Sequence, residues 1–276
     1  MNHLEQQMVT ILRELKEEHG AISVRAAFVS EGTRKEELLR LKEVSVRAGL
    51  GLTLIIGGCE SIRDLIEARA VGVNALAGPM IESDYSLRKY LQAVHQVFPA
   101  EDLESVEVHA NLETITGVRK AGTILGSSRH GGLSGLKGVI IDRADICHSQ
   151  GLGSDDINLP VINGQVEAVL KVAKDKGLTT TVGGGVSRDS LPFFTSLEPG
   201  LLDRFETRKV TFDAPVLLGR DPARGILAAL AFELFYLRNK ITFFRKIKSD
   251  DLARLNVLEE AYWHAIASTF PSGGRS

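Results

Sequence analysis

Seven short apolar runs punctuate this chain, and amphipathic helical stretches lie between them. The runs are Ala21–Phe28, Leu52–Ile56, Ala75–Met80, Val106–Leu112, Gly138–Ile146, Thr179–Val182 and Phe205–Phe212. A strand, a helix and a strand in repetition favour a parallel sheet, because each parallel pair needs a crossover connection. At 276 residues the chain has the size of one closed α/β barrel of the TIM (β/α)8 type. Seven runs are one short of eight. Either the segment Ile11 to Gly20 contributes to the ring, or the barrel is closed atypically, with the first strand the candidate for the irregularity.

The helices have readable ends. Gly32-Thr33 precedes the stretch Arg34–Gly49, Gly72 closes Glu60–Val71, and Ser83-Asp84 opens Tyr85–Val97 ahead of Pro99. The barrel is expected over residues 1–219. Beyond it, Pro222 to about Lys246 carries Ile226, Leu227, Leu230, Leu234 and Leu237 on one stripe, and Ser249-Asp250-Asp251 has the character of a second cap. These features predict a C-terminal helical hairpin over 220–270 that packs on the barrel or on a neighbouring copy, followed by a disordered tail at 271–276.

Composition excludes several classes of function. The net charge of −2 arises from 33 basic and 35 acidic residues, so no basic face for nucleic acid is signalled. Met1 to Lys16 lacks the apolar core of a signal peptide, and no apolar run is long enough to span a bilayer. A cytoplasmic protein is expected. Cys59 and Cys147 are too few for a disulfide framework and lack metal-ligand spacing.

Polar residues concentrate where strands end. Glu107, His109, Asn111 and Glu113 alternate with Val106, Val108, Ala110 and Leu112, which places the polar set on one strand face. The next strand runs into Asp142-Arg143-Ala144-Asp145. Carboxylates at the C-terminal ends of successive strands suit a hard divalent ion. His148 follows at a position suited to proton transfer, and Arg129-His130-Gly131-Gly132 has the composition of a long lid-like loop. Gly183-Gly184-Gly185 lies between a strand and a helix, either as a tight turn or as an anion-binding loop of exposed amides. In Phe205–Val210, parity puts Glu206 and Arg208 on one face and Thr207 and Lys209 on the other, so one pair either lines the barrel or forms an internal ion pair.

Three segments together resemble the HpcH/HpaI aldolase and citrate lyase β-subunit family: Ala77-Gly78-Pro79-Met80-Ile81-Glu82-Ser83, Asn111-Leu112-Glu113-Thr114-Ile115-Thr116-Gly117-Val118, and Arg143-Ala144-Asp145-Ile146-Cys147-His148-Ser149. They occur in the family's order, and the resemblance spans about Ala21 to Phe212. It implies a phosphoenolpyruvate/pyruvate-type TIM barrel that breaks or makes a carbon–carbon bond beside a 2-oxo acid through a metal-stabilised enolate. The ion would be Mg2+ or Mn2+, with Glu113 and Asp145 as its ligands. Where the family carries an Arg or Lys, the strand Leu52-Thr53-Leu54-Ile55-Ile56-Gly57-Gly58 has no charge. The substrate's carboxylate or phosphate is then expected to meet Arg25, Arg143, Arg208, the amides of Gly57 and Gly58, or the Gly183–Gly185 loop. Ser30-Glu31-Gly32 stands where the family has an Asp-x-Glu-His-Gly segment, without its histidine, leaving Arg25, Glu31 and His148 as the catalytic candidates.

Two other readings share the fold. One is a metal-independent phosphosugar isomerase or synthase that uses the triple-glycine loop, and the other is a non-catalytic assembly subunit. No nucleic-acid or membrane partner is expected, and a homo-oligomer through the C-terminal helices is.

Overall fold

The computed structural model describes residues 1–126, 135–219 and 221–269. Eight strands close into a barrel in sequence order: β1 Ala21–Ala27, β2 Gly51–Ile55, β3 Ala75–Gly78, β4 Glu107–Leu112, β5 Leu136–Asp142, β6 Thr179–Gly183, β7 Arg204–Glu206 and β8 Val210–Asp213. Around them lie α1 His3–His19, α2 Lys35–Ala48, α3 Ile62–Val71, α4 Asp84–Val97, α5 Ala100–Leu103, α6 Ile115–Arg119 and α7 Ala121–Gly126. They are followed by α8 Arg143–His148, α9 Pro160–Asp175, α10 Leu191–Ser196, α11 Val216–Gly219 and α12 Pro222–Thr269.

The barrel is closed atypically, at its last strand and not its first. Ile11 to His19 belongs to α1, which starts at an Asn2/Glu5 capping box and stops at the left-handed Gly20. The eighth strand instead comes from the run Phe205–Phe212, which reverses at Thr207-Arg208-Lys209. The Thr207 N–H donates to the Val210 carbonyl at 2.9 Å, and β8 pairs antiparallel with both β7 and β1. A single-strand reading fails because three charged or hydroxylated residues interrupt the apolar pattern, and that is the turn. The irregular strand is thus the last one. β5 also stops earlier than its apolar run suggests, at Asp142, whose carboxylate caps α8 by accepting from the Asp145 N–H at 3.1 Å.

Instead of a hairpin, α12 is one continuous helix. Ser249-Asp250-Asp251 has capping side chains, but no Gly or Pro lies between Gly225 and Pro271 to break the backbone, and strong helix formers flank the site. α12 rises antiparallel to α1. Arg224 meets Glu14 near its start, and the Asn2 amide donates to Asn239 Oδ1 at 2.7 Å fifteen residues further along. The Arg129–Gly132 loop and the 271–276 tail lie outside the described residues.

The barrel interior is unusually polar. Near the N-terminal strand ends, Arg204 pairs with Glu107 at 2.6 Å and His109 Nε2 lies 3.0 Å from the same carboxylate. Hydrogen bonds from His109 and Arg204 hold the Glu107 carboxyl well below the usual carboxylate range. Midway up, Arg25 pairs with the buried Glu206 at 2.9 Å. His109 is therefore a core residue. The apolar core lies outside the barrel wall, where Leu52, Leu54, Leu76, Val139, Ile141 and Val182 meet the helices.

Candidate active site at the strand ends

Three carboxylates collect where β4 and β5 finish. Glu113 follows β4 and is 6 % exposed; its Oε1 accepts from the Met80 N–H at 2.6 Å and its Oε2 from Asn111 Nδ2 at 2.8 Å. Met80 aims that N–H from a left-handed conformation, φ 53°, which a β-carbon disfavours by about 1 kcal/mol or more. Asp142 ends β5, and Asp145 sits in the first turn of α8. Burial, then the charges of Asp142 and Asp145, push the Glu113 carboxyl up to about 7. Burial and the Asp142 charge likewise raise Asp145. Among the described residues, no lysine or arginine forms an ion pair with any of the three.

An oxygen-only donor set without a lysine or arginine in ion-pair contact has the character of a hard-cation site. Asn111 adds to it. Its amide nitrogen is committed to Glu113, while its buried Oδ1 has no hydrogen-bond partner. Glu113 and Asp145 are thus together, as expected. Asp142, the acid that ends β5, joins them although the family resemblance implies only Glu113 and Asp145 as ligands.

The other candidates separate. His148 stands beside the acids, exposed, with Nδ1 4.0 Å from Asp145 Oδ1. Arg25 is spent on Glu206 and on the Thr207 carbonyl inside the barrel. Glu31 pairs with the buried Lys209 and sits 3.7 Å from Arg208. Lys209 in turn lies 4.2 Å from the Tyr236 ring of α12, so this cluster fastens the β7–β8 turn to the terminal helix. Arg208 is 63 % exposed at that turn.

Arg143 is not placed to bind substrate. It is 0 % exposed, donates to Asn158 Oδ1 at 3.1 Å and Ser190 Oγ at 2.7 Å, and lies over the Phe194 ring; burial lowers it to about 10. The Gly57 amide is also committed, donating to Asp64 at 2.6 Å. The triple glycine is closely packed. A β-carbon at Gly184, φ 75°, would lie 2.1 Å from Asp142 Oδ1 and 2.5 Å from the Arg143 and Ala144 nitrogens, so this loop presses directly on the β5–α8 junction.

Among the described residues, Glu14, Glu18 and His19 are the group whose ligand atoms all lie within 4.8 Å of one another; Glu113, Asp142 and Asp145 stand further apart than that. The Glu14, Glu18 and His19 group sits at the end of α1, before β1 begins, and so at the barrel end opposite the strand-end acids.

No family model matches the chain, and no curated protein matches its sequence. Solved structures share the fold. An HpcH/HpaI aldolase from Desulfitobacterium hafniense DCB-2 aligns with a TM-score of 0.56 at 14% identity, covering 70% of this chain and 79% of its own. An HpcH/HpaI aldolase/citrate lyase family protein from Burkholderia cenocepacia J2315 gives 0.58 at 15% identity, over 86% of this chain and 100% of its own. The citrate synthase SbnG gives 0.55 at 15% identity, over 84% and 89%. The likeness establishes a common barrel. No helix among the described residues is long and apolar enough to cross a membrane.

Proposed function

We propose that this chain is a divalent-metal-dependent carbon–carbon lyase of the HpcH/HpaI type acting on a 2-oxo acid. The observation that carries the reading is the trio Glu113, Asp142 and Asp145 at the C-terminal strand ends, the end of a barrel that houses active sites, with the Glu113 and Asp145 carboxyls raised and, among the described residues, no lysine or arginine in an ion pair with the three. The shared fold and the three motif segments support the same class.

Glu113 and Asp145 would hold the ion, with Asp142 completing the negative wall. Bound there, Mg2+ or Mn2+ would supply Lewis-acid stabilisation of the negative charge that develops on the oxygens of a 2-oxo acid. The chain's own residues set the geometry. The Met80 N–H and the Asn111 amide fix the Glu113 carboxylate in one orientation before any ligand arrives. His148, next to Asp145, holds or releases a proton at the mouth. Arg208 is an exposed cation at the same barrel end for the substrate carboxylate, replacing the charge missing from β2. Dimerisation belongs to this proposal. Leu227, Leu230, Leu234, Leu237 and Ile241 form an exposed 3–4 repeat on α12, and Leu255 and Leu258 continue it in phase, a seam suited to a second copy of the chain.

The test is Mg2+-dependent exchange of the C3 protons of pyruvate or 2-oxobutyrate into deuterium oxide, followed by NMR. Exchange that disappears with EDTA and in Asp145→Asn supports the proposal. Exchange indifferent to both would overturn it.

A further inference from the structure

The histidine that ends α1 has no structural explanation in hydrogen bonding. His19 is 4 % exposed, and neither of its ring nitrogens has a hydrogen-bond partner. An imidazole always carries at least one N–H donor and in its neutral form one acceptor, so burying both unmatched is unfavourable. The fold nevertheless makes room for the ring. Gly225, inside the first turn of α12, would place an added β-carbon 3.0 Å from His19 Cβ and 3.3 Å from Nδ1. Glycine is unfavourable in a helix interior, and here it leaves space against His19 that a side chain would crowd.

Beside this ring stand two carboxylates. Glu14 and Glu18, four residues apart on α1, bring ligand atoms within 4.8 Å of one another and of His19. Glu14 is partly buried and its carboxylate is 3.6 Å from Arg224 of α12; Glu18 is exposed. All three occupy the last two turns of α1, where the negative end of the helix dipole favours a cation. The group is remote from the strand-end acids. It also differs in chemistry, since an imidazole joined to carboxylates suits a borderline transition ion such as Zn2+ better than Mg2+.

We propose that Glu14, Glu18 and His19 form a second, structural metal site for a Zn2+-class ion, with water as a further ligand, and that this ion pins the start of α12 to the end of α1. The neutral imidazole would give a nitrogen lone pair and each glutamate one oxygen. Small side-chain rotations bring the three atoms to coordinating distance. Arg224 can stay on the second Glu14 oxygen, so the α1–α12 contact is kept. An ion here stabilises the folded state by mass action and orders the helix that the β7–β8 turn also grips.

The test uses the full chain carrying Glu113→Gln and Asp145→Asn, so that the strand-end acids do not contribute, titrated with Co2+ and read by its visible d–d absorption. The site predicts one saturable equivalent with the spectrum of a low-coordinate ion bearing a nitrogen ligand, displaced by Zn2+. Adding Glu18→Gln, an exposed change that leaves the core intact, should weaken Co2+ by about tenfold or more, and Glu14→Gln similarly. His19→Asn should abolish binding, with circular dichroism confirming a folded chain. No saturable Co2+ binding in this background, or binding unmoved by the two glutamate variants, overturns the proposal.

Discussion

Replacing Glu113 with glutamine should make the metal-free protein more stable at alkaline pH. Burial holds the carboxyl at about 7 against an ordinary 4.5. Below about 4.5 both folded and unfolded chains carry the proton, and the folded-state environment costs nothing. Between 4.5 and about 7 the unfolded chain ionises while the folded one does not, so folding takes up a proton and stability falls as pH rises. Above 7 the loss levels off at ~3 kcal/mol, the free-energy equivalent of the difference between the two values. A glutamine removes this loss and keeps most contacts. Its amide oxygen still accepts from the Met80 N–H, and an amide flip of Asn111 turns its now partnerless Oδ1 toward the new amide N–H. In EDTA, the thermal midpoint of Glu113→Gln relative to wild type should rise by roughly 6 °C or more between about pH 5 and about pH 8.5. Parallel curves for the two proteins would refute the buried-carboxylate account. A saturating divalent ion should reverse the order, because the ion needs the ionised carboxylate.

Other predictions follow from separate parts of the molecule. Met80→Gly relieves a left-handed φ and should raise stability by about 1 kcal/mol in chemical denaturation, and a loss of that size would show that the thioether contributes more than the strain. Lys209→Met leaves the part-buried Glu31 without its partner and should cost roughly 2–3 kcal/mol, seen as a drop in thermal midpoint, whereas a neutral result would mean that Arg208 takes over the carboxylate. Leu234→Glu together with Leu237→Glu, both on the exposed face of α12, should yield a monomer by sedimentation with the fold retained; an unchanged association state would place the interface elsewhere.

Much of this architecture is legible in the sequence because it rests on short-range patterns. The alternation of apolar runs and amphipathic stretches gives the barrel, and Gly72 and Ser83 mark helix ends by their local chemistry. Glu113 stands out as an acid directly after an apolar strand, and Asp145 by its place in the segment Arg143–Ser149 that resembles the family motif. What escapes the sequence depends on contacts between distant segments. The turn at Thr207–Lys209 resembles a charged strand until the partners of its residues are known: Glu31 for Lys209 and the β1 backbone for its carbonyl. Arg143 and Gly57 resemble anion binders by composition, yet Ser190, Asn158 and Asp64, remote in sequence or across a loop, claim them first. Continuity of α12 past Ser249 depends on the lack of a backbone breaker, which outweighs the capping potential of the side chains.

Mn2+ binding followed by electron paramagnetic resonance, with and without oxalate as a mimic of an enolised 2-oxo acid, tests the central claim most directly. The account predicts that wild type binds Mn2+, that oxalate tightens the complex and sharpens its spectrum, and that Glu113→Gln and Asp145→Asn each lose this behaviour while remaining folded. Wild-type protein that leaves Mn2+ free in solution with and without oxalate, or binding that survives both substitutions, would contradict it.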